Sequence, residues 1–179
     1  MCLVASALGI WAMCFLGTTN GGSQPHPGQK AGSELPRLRY LSPVPDIVFI
    51  INSDFDDLPA AADAATQFLE GNNASEGVIF AANLAIEEIV TNTIKYGYDD
   101  ARKHEIIVRL EVTENSLNIE ICDDGREFNP FNEPEPNVSL RSDEPQIGGL
   151  GVHFVRKMLD TCAYDRREGR NIVKLSKKL

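Results

Sequence analysis

Residues 84–98 read LAIEEIVTNTIKYGY. The stretch continues an apolar periodicity that begins near Ser75, and at about 100° per residue Ile79, Ala82, Ile86, Val90 and Thr93 fall on one stripe. The spacing predicts a helix from a Ser75 cap to about Tyr96, stopped by Gly97. Glu88 and Asn92 stand i, i+4 and so lie on one line along that helix. The wheel puts this line on the side away from the core stripe, among Ala81, Leu84, Ala85 and Ile89. A carboxylate and an amide in an apolar, semi-buried sector call for partners, because a buried unpaired charge costs several kcal/mol. The plainer alternative is a solvated Glu with an Asn beside it. Glu87 points elsewhere on the wheel and reads as the solvated acid.

The surrounding elements follow from shorter patterns. Ile47 to Ile51 is an apolar, β-branched run that predicts a strand. Asp56, Asp57 and Pro59 start a helix over Leu58 to Leu69, ended by Gly71 and Asn72. Residues 105–113 and 116–122 alternate apolar and polar side chains and read as two antiparallel strands joined at Glu114-Asn115. A Pro/Glu/Asn/Ser-rich loop fills roughly 124–147, a third helix runs from Leu150 to Leu159, and residues 161–167 and 171–177 form two more strands. Strands in pairs with helices between them predict an α+β two-layer sandwich, with a mixed, largely antiparallel sheet and helices on one face.

Two glycine-containing loops flank the chemistry. Asp123-Asp124-Gly125-Arg126-Glu127-Phe128-Asn129-Pro130 leaves a predicted strand directly. An acid there can accept a hydrogen bond from an exocyclic amine such as that of adenine, and a glycine lets backbone approach a ligand. The same residues would also make an ordinary turn. Gly148-Gly149-Leu150-Gly151 opens the third helix. Free N–H groups and the positive dipole end make such an opening a phosphate site, or simply a flexible helix entry. The discriminating feature is the ordered set: Glu88-x-x-x-Asn92 on a helix, Asp123-x-Gly125 after a strand, Gly149-x-Gly151 before a helix.

The composition bounds the rest. The chain has 179 residues with 17 Lys/Arg against 26 Asp/Glu, a formal net charge of −9, which argues against direct, sequence-independent nucleic-acid binding. Residues 46–155 are strongly acidic and residues 156–179 basic, so a divalent cation or a basic partner is expected near the middle. Cys2, Cys14, Cys122 and Cys162 have no C-x-x-C spacing and read as reduced thiols rather than a zinc site. Residues 1–17 (MCLVASALGIWAMCFLG) are apolar and uncharged, and 18–45 are a Gly/Ser/Gln/Pro-rich linker. The organisation read is therefore 1–45, an apolar N-terminal segment plus flexible linker, and 46–179, the working domain. The apolar segment is open to three readings: a membrane anchor, a cleaved signal, or an extension outside the working protein.

The ordered set resembles the N box and the two glycine boxes of the GHKL ATPases, the superfamily of gyrase, heat-shock chaperone and histidine-kinase ATP domains. Within them the chain is most similar to the bacterial anti-sigma factor serine/threonine-protein kinases. LAIEEIVTNTIKYGY (84–98), DDGREFNP (123–130), GGLGVHFVRKMLD (148–160) and YDRREGRNIVKL (164–175) carry the likeness, which spans about 46–179. The resemblance implies a Bergerat-type ATP-binding fold. It implies that Asn92 binds Mg²⁺ bridging the phosphates and that Glu88 is the general base for a protein serine. It implies that Asp123 takes the adenine amine, with Gly125 beneath the base, and that Gly149 and Gly151 cradle phosphates. The partners it implies are an anti-anti-sigma (STAS-type) protein as substrate, a sigma factor, and in many relatives a second copy of the chain. Chemistry on ATP implies a cytoplasmic protein, with membrane attachment through residues 1–17 left open. A nucleotide-gated binding module with little or no transfer is the competing function, and retention of Glu88 favours the enzyme. Two departures bear on nucleotide binding. Glu127 stands where a small residue or Pro is usual, and Lys174 where many members have a Thr near the adenine.

Overall fold

A computed structural model of the chain describes residues 44–132 and 150–179. Its elements are strand β1 (Asp46–Asn52), a 3-10 turn (Phe55–Asp57), helices α1 (Leu58–Gly71) and α2 (Glu76–Tyr96), strands β2 (Glu105–Val112) and β3 (Ser116–Asp123), helix α3 (Leu150–Met158), and strands β4 (Thr161–Arg167) and β5 (Arg170–Lys178). The strands form one sheet in the order β1-β2-β3-β5-β4. Every described pairing is antiparallel, where the sequence reading allowed a mixed sheet.

Register explains the layer structure. Phe49 faces Val108, Ile119 faces Leu175 and Ile121 faces Val173. With a side-chain period of two, Ile47, Phe49, Ile51, Ile106, Val108, Leu110, Leu117, Ile119, Ile121, Val173 and Leu175 all lie on one face, and all are buried. The helices cover that face. Burying each such Leu, Ile, Val or Phe contributes about 1.5–3 kcal/mol, so this face is the principal stabilising feature of the fold.

Helix α2 is the central element over the sheet, with α1 on one flank and α3 on the other. Val78, Ala81, Ala82, Ala85, Ile86, Ile89 and Val90 are buried, a wider face than the stripe read from the sequence, with Ile79 and Thr93 at its margin. By length and composition α2 could cross a membrane, but here its apolar face is taken up by the core. The Ser75 side chain does not cap the helix; the Ser75 carbonyl accepts from the Val78 and Ile79 amides instead. An Asn83 Nδ2 to Thr66 Oγ1 bond of 2.8 Å ties α2 to α1.

The first ladder bond of the sheet runs from Val112 N to the Pro45 carbonyl at 2.9 Å. A chain beginning at Pro45 is therefore expected to fold, since all described elements follow that point. A cooperative unfolding transition in denaturant is the expected result; an insoluble or molten product would show that residues 1–44 belong to the core. The readings made for residues 1–43, for the long loop from residue 133 onward, and for Gly148 and Gly149 lie outside the described residues.

Candidate functional site

Asp123 is the last residue of β3 and keeps the parity of Leu117, Ile119 and Ile121. Its side chain is therefore delivered to the helix-facing side, at the rim of the core, and is 3 % exposed. Two donors meet it there: Gly125 N and Asn171 Nδ2, each at 2.8 Å and both on Oδ1. Burial nevertheless raises the Asp123 carboxyl above its usual range, with these two hydrogen bonds opposing the rise. The second oxygen, Oδ2, has no described hydrogen bond and is the one available to a ligand.

Asn171 stands directly opposite Asp123 in the β3–β5 register and is 4 % exposed. It donates to Asp123 and to the Arg126 carbonyl, and its own oxygen accepts from Tyr164 Oη at 2.8 Å and Arg166 Nη1 at 2.6 Å. Arg166 also donates to the Gly125 carbonyl at 2.9 Å. The Asp123 loop is thus fastened from below by β4 and β5. The sequence reading missed Asn171. Counting back by two from the buried Leu175 and Val173 would have found it. The same count corrects the reading of Lys174, which has the opposite parity. Lys174 lies on the other face of the sheet, 3.5 Å from Glu120, and not beside Asp123.

Gly125 fixes the loop against α2. A Cβ at Gly125 would stand 2.9 Å from the Gly97 carbonyl oxygen and 2.8 Å from Asp123 Oδ1, closer than any side chain tolerates. Two glycine backbones touch here, and Arg126 completes the junction. Its amide donates to the Gly97 carbonyl at 2.8 Å and its guanidinium to the Tyr96 carbonyl at 2.7 Å, satisfying helix-terminal acceptors with a cation. Between this junction and α2 opens a cleft of about 340 Å³, within the usual range for small-molecule sites. Ile89, Phe128, Pro130 and Val173 give it apolar walls, and Asn92, Asp123 and Asn171 line it with polar groups. An apolar slot with one buried carboxylate at its floor suits a flat heterocycle bearing an amine. Glu127 also lines the cleft, exposed at its edge.

Asn92 is half-buried, and its amide has no hydrogen bond to a described residue. One turn earlier, Glu88 is half-buried as well, and Glu87 is exposed. The Glu88–Asn92 line does not lie opposite the core, as the wheel suggested. It borders the buried face, because α2 is covered by the sheet and by both neighbouring helices. Glu88 does not line the cleft; it lies against Gly151 in the first turn of α3. A Cβ at Gly151 would collide with the Glu88 carboxylate, so a side chain there would force that carboxylate to swing aside. The structure thus brings Asn92 and Asp123 to the cleft, with Gly125 in the junction beside it, and sets Glu88 against Gly151 outside the cleft lining. Among the described residues no three His, Cys, Asp or Glu side chains cluster as a metal site. The hard oxygens of Asn92 and Glu88 still fit a Mg²⁺ ion that takes its other ligands from phosphates and water.

The model of the histidine kinase-like ATPase domain matches residues 51–177. The chain belongs to that family. The GHKL resemblance and the α+β ATP-binding fold read from the sequence are accordingly correct, and an ATPase domain implies that the nucleotide is ATP. Among curated relatives, the serine/threonine-protein kinase BtrW of Bordetella bronchiseptica is 25% identical over 97 residues, 54% of this chain and 68% of BtrW. The serine-protein kinase RsbW of Bacillus velezensis is 28% identical over 91 residues, 48% of this chain and 56% of RsbW. The matched stretch is thus little more than half of RsbW. A crystal structure of the RsbU and RsbW domains of a Mycobacterium tuberculosis protein superposes with a TM-score of 0.56 at 16% identity, over 77% of this chain and 33% of that one. That likeness concerns the fold.

Proposed function

We propose that this ATPase domain is an ATP-dependent serine/threonine-protein kinase that acts as an anti-sigma factor. It phosphorylates an anti-anti-sigma protein of STAS type and sequesters a sigma factor, so that phosphorylation decides which partner is held. The observation that carries the reading is Glu88, one helical turn from the cleft-lining Asn92. A carboxylate one turn from the amide assigned to the metal suits acceptance of a serine proton. The names of BtrW and RsbW support the same direction.

In this reading Asp123 Oδ2 accepts the adenine amine while Oδ1 stays tied to the loop. Gly125 keeps the floor of the slot thin. Asn92 holds Mg²⁺ through its amide oxygen, and Gly149 and Gly151 present backbone N–H groups to the phosphates. The ion, when bound, neutralises charge on the phosphoryl oxygens. Glu88 accepts the proton of the substrate serine as its oxygen bonds to the γ-phosphorus. The bond from that phosphorus to the β,γ-bridging oxygen breaks, and ADP leaves. Residues 46–179 are the working domain in this reading, and ATP as donor places the reaction in the cytoplasm.

Asn92→Ala is expected to abolish Mg²⁺-dependent ATP binding in a calorimetric titration, because it deletes the amide oxygen that holds the ion. Unchanged Mg-ATP affinity would remove Asn92 from the site. Partner exchange tests the larger claim. The unphosphorylated anti-anti-sigma protein should displace a bound sigma factor from the chain, and its phosphorylated form should not. The second reading, a nucleotide-gated binding module, draws on the contact of Gly151 with Glu88, which sets the carboxylate against α3 rather than in the cleft. It predicts ATP-dependent exchange without any phosphoserine.

A further inference from the structure

The loop between α2 and β2 holds an arrangement that the cleft itself does not need. His104 Nδ1 lies 3.0 Å from Asp124 Oδ1, and His104 Nε2 lies 2.9 Å from Asp100 Oδ1. Asp124 directly follows Asp123. Neutral imidazole has one N–H, so one of these contacts would set a nitrogen lone pair against a carboxylate oxygen. Only the imidazolium, with two N–H donors, satisfies both. The ring is stacked on Tyr98, with centroids 4.0 Å apart and planes at 13°, and is 11% exposed. The backbone on either side is fixed to the β1 end: His104 N donates to Ser53 Oγ at 3.0 Å and the His104 carbonyl accepts from Ser53 N at 2.8 Å.

We propose that His104 is a positioning residue for the adenine loop: as an imidazolium bonded to both Asp100 and Asp124 it holds the segment that carries Asp123, and loss of its proton weakens nucleotide binding. The proposal rests on the reading of the Asp123 cleft as the ATP site. The charged and titratable groups around the ring agree with it. Asp100 and Asp124 face its two nitrogens. Arg102 is bonded to Asp100 at 2.8 Å, and Lys103 pairs with Asp54 at 3.7 Å on the Ser53 side. Cys122, Asp123 and Arg170 stand around Tyr98, whose phenol is pushed far above its usual range, chiefly by burial. Tyr98 therefore stays neutral while the histidine titrates. The Asp100 hydrogen bond raises the His104 pKa most; the Asp124 bond and charge add to the rise, and burial opposes it. For a base with a raised folded value, the contribution is complete below the ordinary value near 6.5. It is lost as pH rises through the folded value. The loop is thus held below that folded value and released as pH rises through it.

The test is ATP affinity by calorimetry from about pH 6.5 to about pH 9, in the wild-type chain, His104→Gln and Asp124→Asn. Comparing profiles cancels the nucleotide's own titration. Wild-type affinity should fall about two- to fivefold more than that of either variant, the scale of a solvent-edge ion pair. Asp124→Asn leaves the histidine in place and carries the test if His104→Gln does not fold. Nitrogen-15 spectra, assigned with His104→Gln, should show both ring nitrogens protonated at neutral pH. A neutral single tautomer there, or parallel affinity profiles in wild type and variants, would overturn the proposal. No ATP binding at any pH would instead refute the nucleotide reading, and this one with it.

Discussion

Glu88→Gln is expected to leave the fold and ATP affinity intact and to lower phosphoryl transfer to a protein serine by about 10²–10⁴. Gln is nearly isosteric, so the contact with Gly151 and the packing of α3 on α2 persist. It cannot take up a proton near neutral pH. Single-turnover transfer and a parallel Mg-ATP titration separate the possible roles. If affinity falls together with rate, Glu88 orders the metal shell rather than acting as the base. Full transfer with normal affinity would exclude both roles.

Asp123→Asn has the second large effect. Gly125 N and Asn171 Nδ2 both donate to Oδ1, so the substituted amide must turn its oxygen to those two donors. Its NH₂ then faces the cleft, donor against the donating adenine amine. Losing a charge-assisted hydrogen bond, about 1.5–3 kcal/mol, corresponds to roughly a ten- to hundredfold weaker ATP complex. Stability should move the other way. The folded carboxyl is raised by burial, so its ionisation costs stability that is complete above the folded value and fades as pH falls from there to the ordinary value. At neutral pH the nucleotide-free variant should match or exceed wild type in denaturant midpoint. Wild-type affinities for both ATP and GTP in this variant would contradict the adenine assignment.

The two effects come from positions that differ in how far the sequence disclosed them. Asp123 was legible because alternation in SLNIEICD runs without a break from Leu117 to Ile121 and lands on the acid. Strands β2 and β3 with their hairpin, and the length of α2, were legible for the same reason, periodicity over seven or more residues, while β1 showed as the short apolar run Ile47 to Ile51. The position of Glu88 was only partly legible. A helical wheel shows which residues share a line, but not that α2 would be covered on three sides and carry its buried face up to that line. Asn171 was hidden because its role arises from pairing across β3 and β5, a contact between residues 48 apart. Reading Lys174 as the adenine neighbour failed for a related reason: an odd offset within a strand moves a side chain to the other face of the sheet. Gly97, Gly125 and Arg126 form one junction that no single motif announces, since its energy lies in backbone contact between two loops.

The central claim is that this ATPase domain moves phosphate to a protein serine. The direct measurement is incubation of the full chain with Mg²⁺ and γ-labelled ATP, together with an anti-anti-sigma protein. Labelled phosphoserine on that protein, lost in Glu88→Gln and in Asn92→Ala, is the predicted result. ATP bound with the expected Mg²⁺ dependence but no label on any anti-anti-sigma protein offered would contradict the kinase assignment and leave a nucleotide-gated binding module.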